Sequence, residues 1–363
     1  MVRVKIYGAG SIGNHMAHAA RKKGWAVDIC DVDQEALNRT QKDIYPSRYK
    51  KWDNEIGLYT NKNQPRGNYD LVIIGTPPRY HVSLALEVLK ESPNAILIEK
   101  PLTTPDLDGL DDLNKKSKNS SSKIFVGYNH VVSKAIKNVN ELLNNYDLGE
   151  IDTVDVEFRE HWGGIFKAHH WLSGPADSYL SQWKLGGGAC GEHSHAVNLW
   201  QHISRLLKKG RVTEVTCNME YLKDTNFEYD KLCLINLKTE KGLLGRVVQD
   251  VITLPTKKWG NIQGKRGSLN FSFEKNAGVD EVNLMNEKQV IDKKSINKTR
   301  PDDFIEEMNH IEQYFCKNSN LDSPISLDKG IETMLVIAAC HKSSKLGKTV
   351  NIDYGKLISN ALG

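Results

Sequence analysis

Near its start the chain passes directly from an alternating apolar stretch, with Val2, Val4 and Ile6 on one side, into Gly8-Ala9-Gly10-Ser11-Ile12-Gly13. Few folds have a use for such a corner. The alternation predicts a strand, and the Ala-rich stretch from Asn14 to Lys23, closed by Gly24, predicts a helix. A second strand, "WAVDICD", ends on Asp31. Strand, glycine turn, helix and strand in this order make up the unit that binds a dinucleotide. Gly8 permits the tight turn, Gly10 lets the backbone approach a diphosphate, and Gly13 lets the helix pack on the strand. Ser11 and Ile12 lie where the helix begins, so their unpaired N–H groups are offered to the anion.

Asp31 stands 18 residues beyond Gly13, at the end of the second strand. A carboxylate there accepts hydrogen bonds from the adenosine ribose hydroxyls and repels a 2′-phosphate, so the expected cofactor is NAD in preference to NADP. Asp33 is the alternative ribose ligand, although its position suits the N-cap of a helix containing Glu35 to Leu37.

The pattern then repeats. "YDLVIIGTPPRYH" is a buried strand over Leu71 to Ile74, a turn and a helix entry, and "NAILIEKP" carries a strand over Ala95 to Ile98. "KIFVGYNH" adds another, ending near Tyr128. Such alternation predicts an α/β fold whose first domain, residues 1–125, is a doubly wound parallel sheet. Ligands of these sheets bind at the carboxyl ends of the strands. Thr76, Pro77, Glu99, Lys100, Tyr128 and Asn129 belong to that edge; with His81 of the following helix entry, Thr76, Pro77, Glu99, Lys100 and Asn129 are expected to contact cofactor, and Lys100 and Tyr128 substrate. After Gly149 the strands alternate in hairpin fashion, with Gly242 and Gly267 as turn residues. The second domain, 126–363, is expected to be α+β with a mostly antiparallel open sheet. Its helix near 328–347 is expected to pack back on the first domain.

Composition closes off other classes. The net charge of +4 is spread out, and the one compact basic run, Lys115 to Lys123, is interleaved with Asn and Ser, which suits a solvated helix end better than nucleic acid. No apolar run reaches the roughly 18 residues of a membrane span, and the N-terminus enters a strand without a leader pattern. The six cysteines are scattered with no CxxC pair, as in packed, reduced thiols, so a cytoplasmic location is expected.

Three further stretches could carry chemistry. Glu99-Lys100-Pro101 sits at the sheet edge where a nicotinamide ring would rest, although a lysine after a strand is ordinarily a solvated end-cap. "GGGACGEHSHAVNLWQH" brings a glycine run into a helix on which Glu192, His195 and Asn198, spaced by three, share a face. "EHWGGIFKAHHWLSGPADSYLSQWK" is rich in His and Trp; His161 and Trp171 in it suit a sugar ring, and a packing loop is the plainer alternative. Six of the twelve histidines fall between His161 and His202, yet no HExxH or paired Cys/His spacing supports a metal, and none is expected.

Taken together, GAGSIG, "TPPRYH", "EKP", "GYN", the GGG-to-His segment and the closing "DDFIEEMNHIEQYF" and "SLDKGIETMLVIAACHKSSKLGK" resemble the glucose–fructose oxidoreductase/inositol dehydrogenase/MocA (Gfo/Idh/MocA) family of NAD(P)-dependent oxidoreductases. The resemblance covers essentially the whole chain. It implies hydride transfer between nicotinamide and a secondary alcohol of a sugar, sugar derivative or cyclitol, and a homodimer or homotetramer. The family's lysine maps onto Lys100 and its histidine onto His195. The usual aspartate four residues earlier is Gly191 here, so the acidic partner would be Glu192. Two other readings stay open: an enzyme that recycles bound NAD during epimerisation, elimination or glycosidic cleavage, and a non-catalytic NAD(H)-dependent ligand sensor.

Overall fold

The computed structural model describes residues 1–363 other than 168, 170, 275–277 and 316–321. In chain order its helices are α1 (Ser11–Lys22), α2 (Gln34–Arg39), α3 (Tyr45–Tyr49), α4 (His81–Val88), α5 (Leu110–Lys118), α6 (Lys134–Asn145), α7 (Trp162–Lys167), α8 (Gly188–Glu192), α9 (His195–Leu206), α10 (Arg300–Phe315) and α11 (Leu327–Leu346). The chain forms two compact units. The first comprises Met1–Thr103, Gly109–Asn129 and Arg300–Asp328; the second comprises Thr104–Asp108, His130–Thr299 and Lys329–Gly363.

The first unit is built on β1 (Arg3–Tyr7), β2 (Ala26–Asp31), β3 (Ile56–Thr60), β4 (Leu71–Ile74), β5 (Ala95–Ile98) and β6 (Lys123–Val126). They pair in parallel in the order β3-β2-β1-β4-β5-β6. Leu71–Ile74 and Ala95–Ile98 are buried along their whole length, as continuous apolar runs covered on both faces must be. Strand order reverses direction between β1 and β4, the place where such a sheet leaves a crevice. The first helix starts at Ser11, three residues before the Ala-rich stretch in the sequence implied, because the last glycine of the corner, Gly13, lies inside it. The edge strand β3 went unread: only its first residue, Ile56, is buried, so it carries little apolar pattern.

In the second unit the strands are β7 (Ile151–Arg159), β8 (Val212–Lys223), β9 (Glu228–Thr239), β10 (Leu244–Asp250), β11 (Lys257–Gly264), β12 (Gly267–Phe273), β13 (Val279–Met285), β14 (Val290–Asn297) and the short β15 (Val350–Asn351). Their order is β14-β13-β12-β11-β7-β10-β9-β8-β15. All pairs are antiparallel except β7 with β10. Helix α9 packs on this sheet through Trp200, whose indole N–H donates to the Val154 carbonyl at 2.8 Å. Gly245 makes room for that ring, since a Cβ there would stand 2.7 Å from the Trp200 Nε1 atom.

Candidate functional site

The glycine corner follows β1 and is braced on several sides. The Gly8 N–H donates to Cys30, and a Cβ on Gly8, whose φ is +107°, would stand 2.6 Å from the Gly75 carbonyl oxygen. A Cβ on Gly13 would stand 2.0 Å from the Gly8 oxygen. Both glycines are therefore demanded by the protein's own packing. Gly10 is different. It is exposed, its φ of −81° suits any residue, and a Cβ there would meet nothing within 4 Å. Space kept open at that point, at the N-terminus of a 12-residue helix, fits a diphosphate.

Asp31 closes the other side. One carboxylate oxygen accepts from the Ala9 N–H at 2.7 Å and the other from the Asp33 N–H at 2.9 Å. Charge-assisted bonds of this kind are worth about 1.5–3 kcal/mol each when sheltered, less at a half-exposed site. They hold the carboxylate at the corner with lone pairs to spare for ribose hydroxyls. Asp33 instead caps α2 through the Glu35 N–H. Three side chains that carried no sequence signal complete the brace. Asn14 Nδ2 donates to the Gly10 carbonyl at 2.8 Å, Thr40 Oγ1 donates to the Ala9 carbonyl at 2.5 Å, and Arg48 donates to Ser11.

Thr76 and Pro77 follow β4, Glu99 and Lys100 follow β5, and Tyr128 and Asn129 follow β6, so the structure places these candidates along one edge of one sheet. The Glu99 carboxyl group lies against Gly127, where an added Cβ would stand 3.0 Å from it. Nearby Glu307 of α10 is fully buried, and burial, then the Glu99 charge, pushes its carboxyl well above the usual range. Tyr128 is enclosed, whereas Lys100 and Asn129 are half-buried. His81, read as a cofactor ligand, is fully enclosed. Its Nδ1 lies 3.0 Å from the Pro101 carbonyl and its Nε2 2.6 Å from the Thr76 carbonyl, so it ties the two strand-end turns together. Burial pushes its pKa down to about 4 against the pull of those carbonyls.

In the second unit the reading of one continuous helical face is corrected. Helix α8 ends at Glu192, a turn at His193 and Ser194 intervenes, and α9 begins at His195. Gln249 donates its side-chain amide to the His193 carbonyl in that turn. Asn198 does not join the candidates; it is buried and donates to Thr333 Oγ1 at 3.0 Å. The glycines at the entry to α8 also serve packing. A Cβ on Gly188 would collide with buried Asp230, which accepts the Cys190 N–H at 2.6 Å and whose pKa burial drives well above the usual range. His195 itself is half-buried, with the His130 ring perpendicular to it at 4.7 Å, centroid to centroid. Phe158 and Phe273 hold His130 in turn, at 5.0 and 4.8 Å. His130 directly follows the "GYN" motif, and nothing in its local pattern pointed to this contact.

His161 is anchored by its N–H to the Thr253 carbonyl, and its Nδ1 accepts from the Gly163 N–H at 2.9 Å. Trp171 is half-buried beside His169. Trp162 belongs to a packed cluster with Leu180, Tyr229 and Val251, so part of this segment is core; His170 lies outside the described residues. Among the described residues no three His, Cys, Asp or Glu side chains are placed to hold a metal ion, and no helix is long and apolar enough to cross a membrane.

Two family models match the chain. One, described as an oxidoreductase family with an NAD-binding Rossmann fold, spans residues 2–128; the other, the GFO/IDH/MocA C-terminal domain, spans residues 136–270. Among curated protein sequences none matches significantly. Solved structures share the fold at low identity. The WlbA dehydrogenase from Bordetella pertussis, in complex with NADH and UDP-GlcNAcA, superposes with a TM-score of 0.70 at 18% identity over 97% of this chain and 98% of its own. A myo-inositol dehydrogenase from Corynebacterium glutamicum gives 0.71 at 18% identity over 97% and 98%. A levoglucosan dehydrogenase in complex with NADH and L-sorbose gives 0.75 at 15% identity over 96% and 98%.

Proposed function

The chain belongs to the Gfo/Idh/MocA family of NAD-binding oxidoreductases, and from that premise we propose that it oxidises, reversibly, a secondary alcohol of a sugar, sugar derivative or cyclitol. The observation that carries the reading is the position of Lys100, two residues beyond β5 on the sheet edge that also holds the open Gly10 corner. Bound NAD supplies a hydride acceptor at nicotinamide C4. In this proposal the Lys100 ammonium group donates a hydrogen bond to the reacting oxygen and stabilises its developing negative charge. His195 accepts the hydroxyl proton as general base, with Glu192 orienting its ring. His81 keeps the Thr76 and Pro101 turns in register, a positioning role that its two carbonyl contacts support.

NAD is proposed over NADP because Asp31, held by two main-chain N–H groups, would meet a 2′-phosphate with like charge. Similarity to structures that hold a nucleotide sugar acid or L-sorbose supports a polyhydroxylated ring or chain as substrate. Trp171 and His161 are the proposed ring contacts; Tyr128, expected from the sequence to touch substrate, is enclosed and is not among them. A homodimer or homotetramer formed through the nine-stranded sheet belongs to the same proposal, since Leu222, Leu234 and Leu244 stand exposed on it. The test is a panel of sugars, cyclitols and nucleotide sugars with NAD, followed by near-ultraviolet NADH absorbance, with Lys100→Met as control. Signal from one ligand class that vanishes in the variant supports the reading. A converted substrate without NADH favours a recycled cofactor, and binding without conversion favours a sensor.

A further inference from the structure

Ser11 is the first residue of α1, and the guanidinium of Arg48 grips it twice, donating to its carbonyl at 2.9 Å and to its hydroxyl oxygen at 2.9 Å. A hydroxyl that accepts from a guanidinium must turn its own proton elsewhere. Ser11 adjoins Gly10, the one corner glycine that the packing leaves open. Arg48 is not a loose surface side chain. It sits on α3, which is clamped to α1 by the Tyr49 ring stacked on His18 at 3.5 Å and by the Tyr49 hydroxyl 2.5 Å from His15 Nδ1. A second arginine, Arg300 at the start of α10, donates to His15 Nε2 at 3.4 Å. Arg48 thus reaches the first turn of α1 at Ser11, and Arg300 the second turn at His15.

We propose that Arg48 and Ser11 form a side-chain arm of the dinucleotide site, with the Ser11 hydroxyl donating to a diphosphate oxygen and Arg48 supplying the countercharge. The proposal rests on the dinucleotide reading of the corner. Burial disfavours the Arg48 cation, as does the Arg300 charge, while Tyr49 and Asp43 favour it. An anion at the helix terminus offsets both unfavourable effects. The backbone N–H groups of such a corner recognise phosphate in any dinucleotide fold; the arm adds a charge that those N–H groups cannot supply.

The experiment is a binding series on the full chain, free of any turnover: NADH, ADP and adenosine against wild type, Arg48→Met, Ser11→Ala and the double variant, with thermal melts alongside. Arg48→Met is expected to weaken NADH and ADP about ten- to hundredfold, the scale of a charge-assisted hydrogen bond, and to leave adenosine within about twofold. Ser11→Ala is expected to weaken ADP less, and the double variant to fall short of the product of the two losses, as coupled groups do. Equal losses for adenosine and ADP would mean that Arg48 only shapes the fold, and the proposal would be overturned. ADP binding within about twofold of wild type in both single variants would also overturn it. If Arg48→Met does not fold, Ser11→Ala decides the matter alone. A wild type that binds neither NADH nor ADP would remove the dinucleotide reading itself, and the arm with it.

Discussion

Replacing Gly10 and Gly13 by alanine, one at a time, separates a glycine kept for a ligand from a glycine kept for the fold. At Gly13 the new methyl would lie 2.0 Å from the Gly8 oxygen, a main-chain atom whose own residue is hydrogen-bonded to Cys30. Neither side can yield cheaply, and an overpacked contact of this kind costs about 3 kcal/mol or more. In a cooperative unit of about 150 residues, the size of the one that holds Gly13, that lowers the melting temperature by roughly 6–12 °C. At Gly10 the methyl would meet nothing within 4 Å and the backbone is already in a region open to alanine. Loss of backbone freedom in the unfolded chain stabilises Gly10→Ala by about 0.4–1 kcal/mol, and the poorer N-cap offsets that by about 1 kcal/mol. Its melt should therefore stay within about 3 °C of wild type. NADH binding should nevertheless fall by a hundredfold or more, because the methyl occupies the space where the diphosphate would lie. Melting by differential scanning fluorimetry and NADH fluorescence titration read the two effects separately. Tight NADH binding by Gly10→Ala would refute the argument, and so would destabilisation equal to that of Gly13→Ala.

Lys100→Met should lower kcat by about 10²–10⁴-fold while NADH affinity stays within about threefold; equal loss of binding and turnover would remove its catalytic role. His81 titrates near 6.5 when unfolded and near 4 when folded, so the unfolded chain takes the proton first as pH falls. Its contribution, up to about 3 kcal/mol, is complete above pH 6.5 or so and is lost towards pH 4. Denaturant titrations across that window should give His81→Gln a flatter pH profile than wild type. Identical profiles would contradict the buried neutral ring. Asn198→Ala should lose about 1–3 kcal/mol of stability through the orphaned Thr333 contact, yet keep kcat within about threefold; a large drop in kcat at intact folding would return Asn198 to the chemistry.

The first sheet was legible because its buried strands, "LVII" and "AILI", are continuous apolar runs and its corner demands glycine. Edge strands β3 and β14 were not, because little or none of them is buried, and β11 and β13 were not, because their buried positions include Gly260 and Gly264 in the one and Asp280 and Glu281 in the other. Asp33 was legible as a cap, since capping is local. The Glu192-His195-Asn198 stripe misled because spacing by three implies one helix, and the turn at His193 and Ser194 breaks it. The glycine run that enters α8 accommodates Asp230, a residue 42 positions beyond Gly188 that no local pattern connects to it. His130 and Arg48 escaped for the same reason: each acts on a residue far away in sequence.

The most direct test of the central claim is hydride transfer itself. A sugar or cyclitol deuterated at the candidate carbinol carbon, incubated with the protein and NAD, should yield NADH carrying the deuterium by mass spectrometry, and Lys100→Met should yield almost none. Substrate converted with its deuterium retained or exchanged to water, and none found in the cofactor at any time, would contradict an oxidation by direct transfer to nicotinamide.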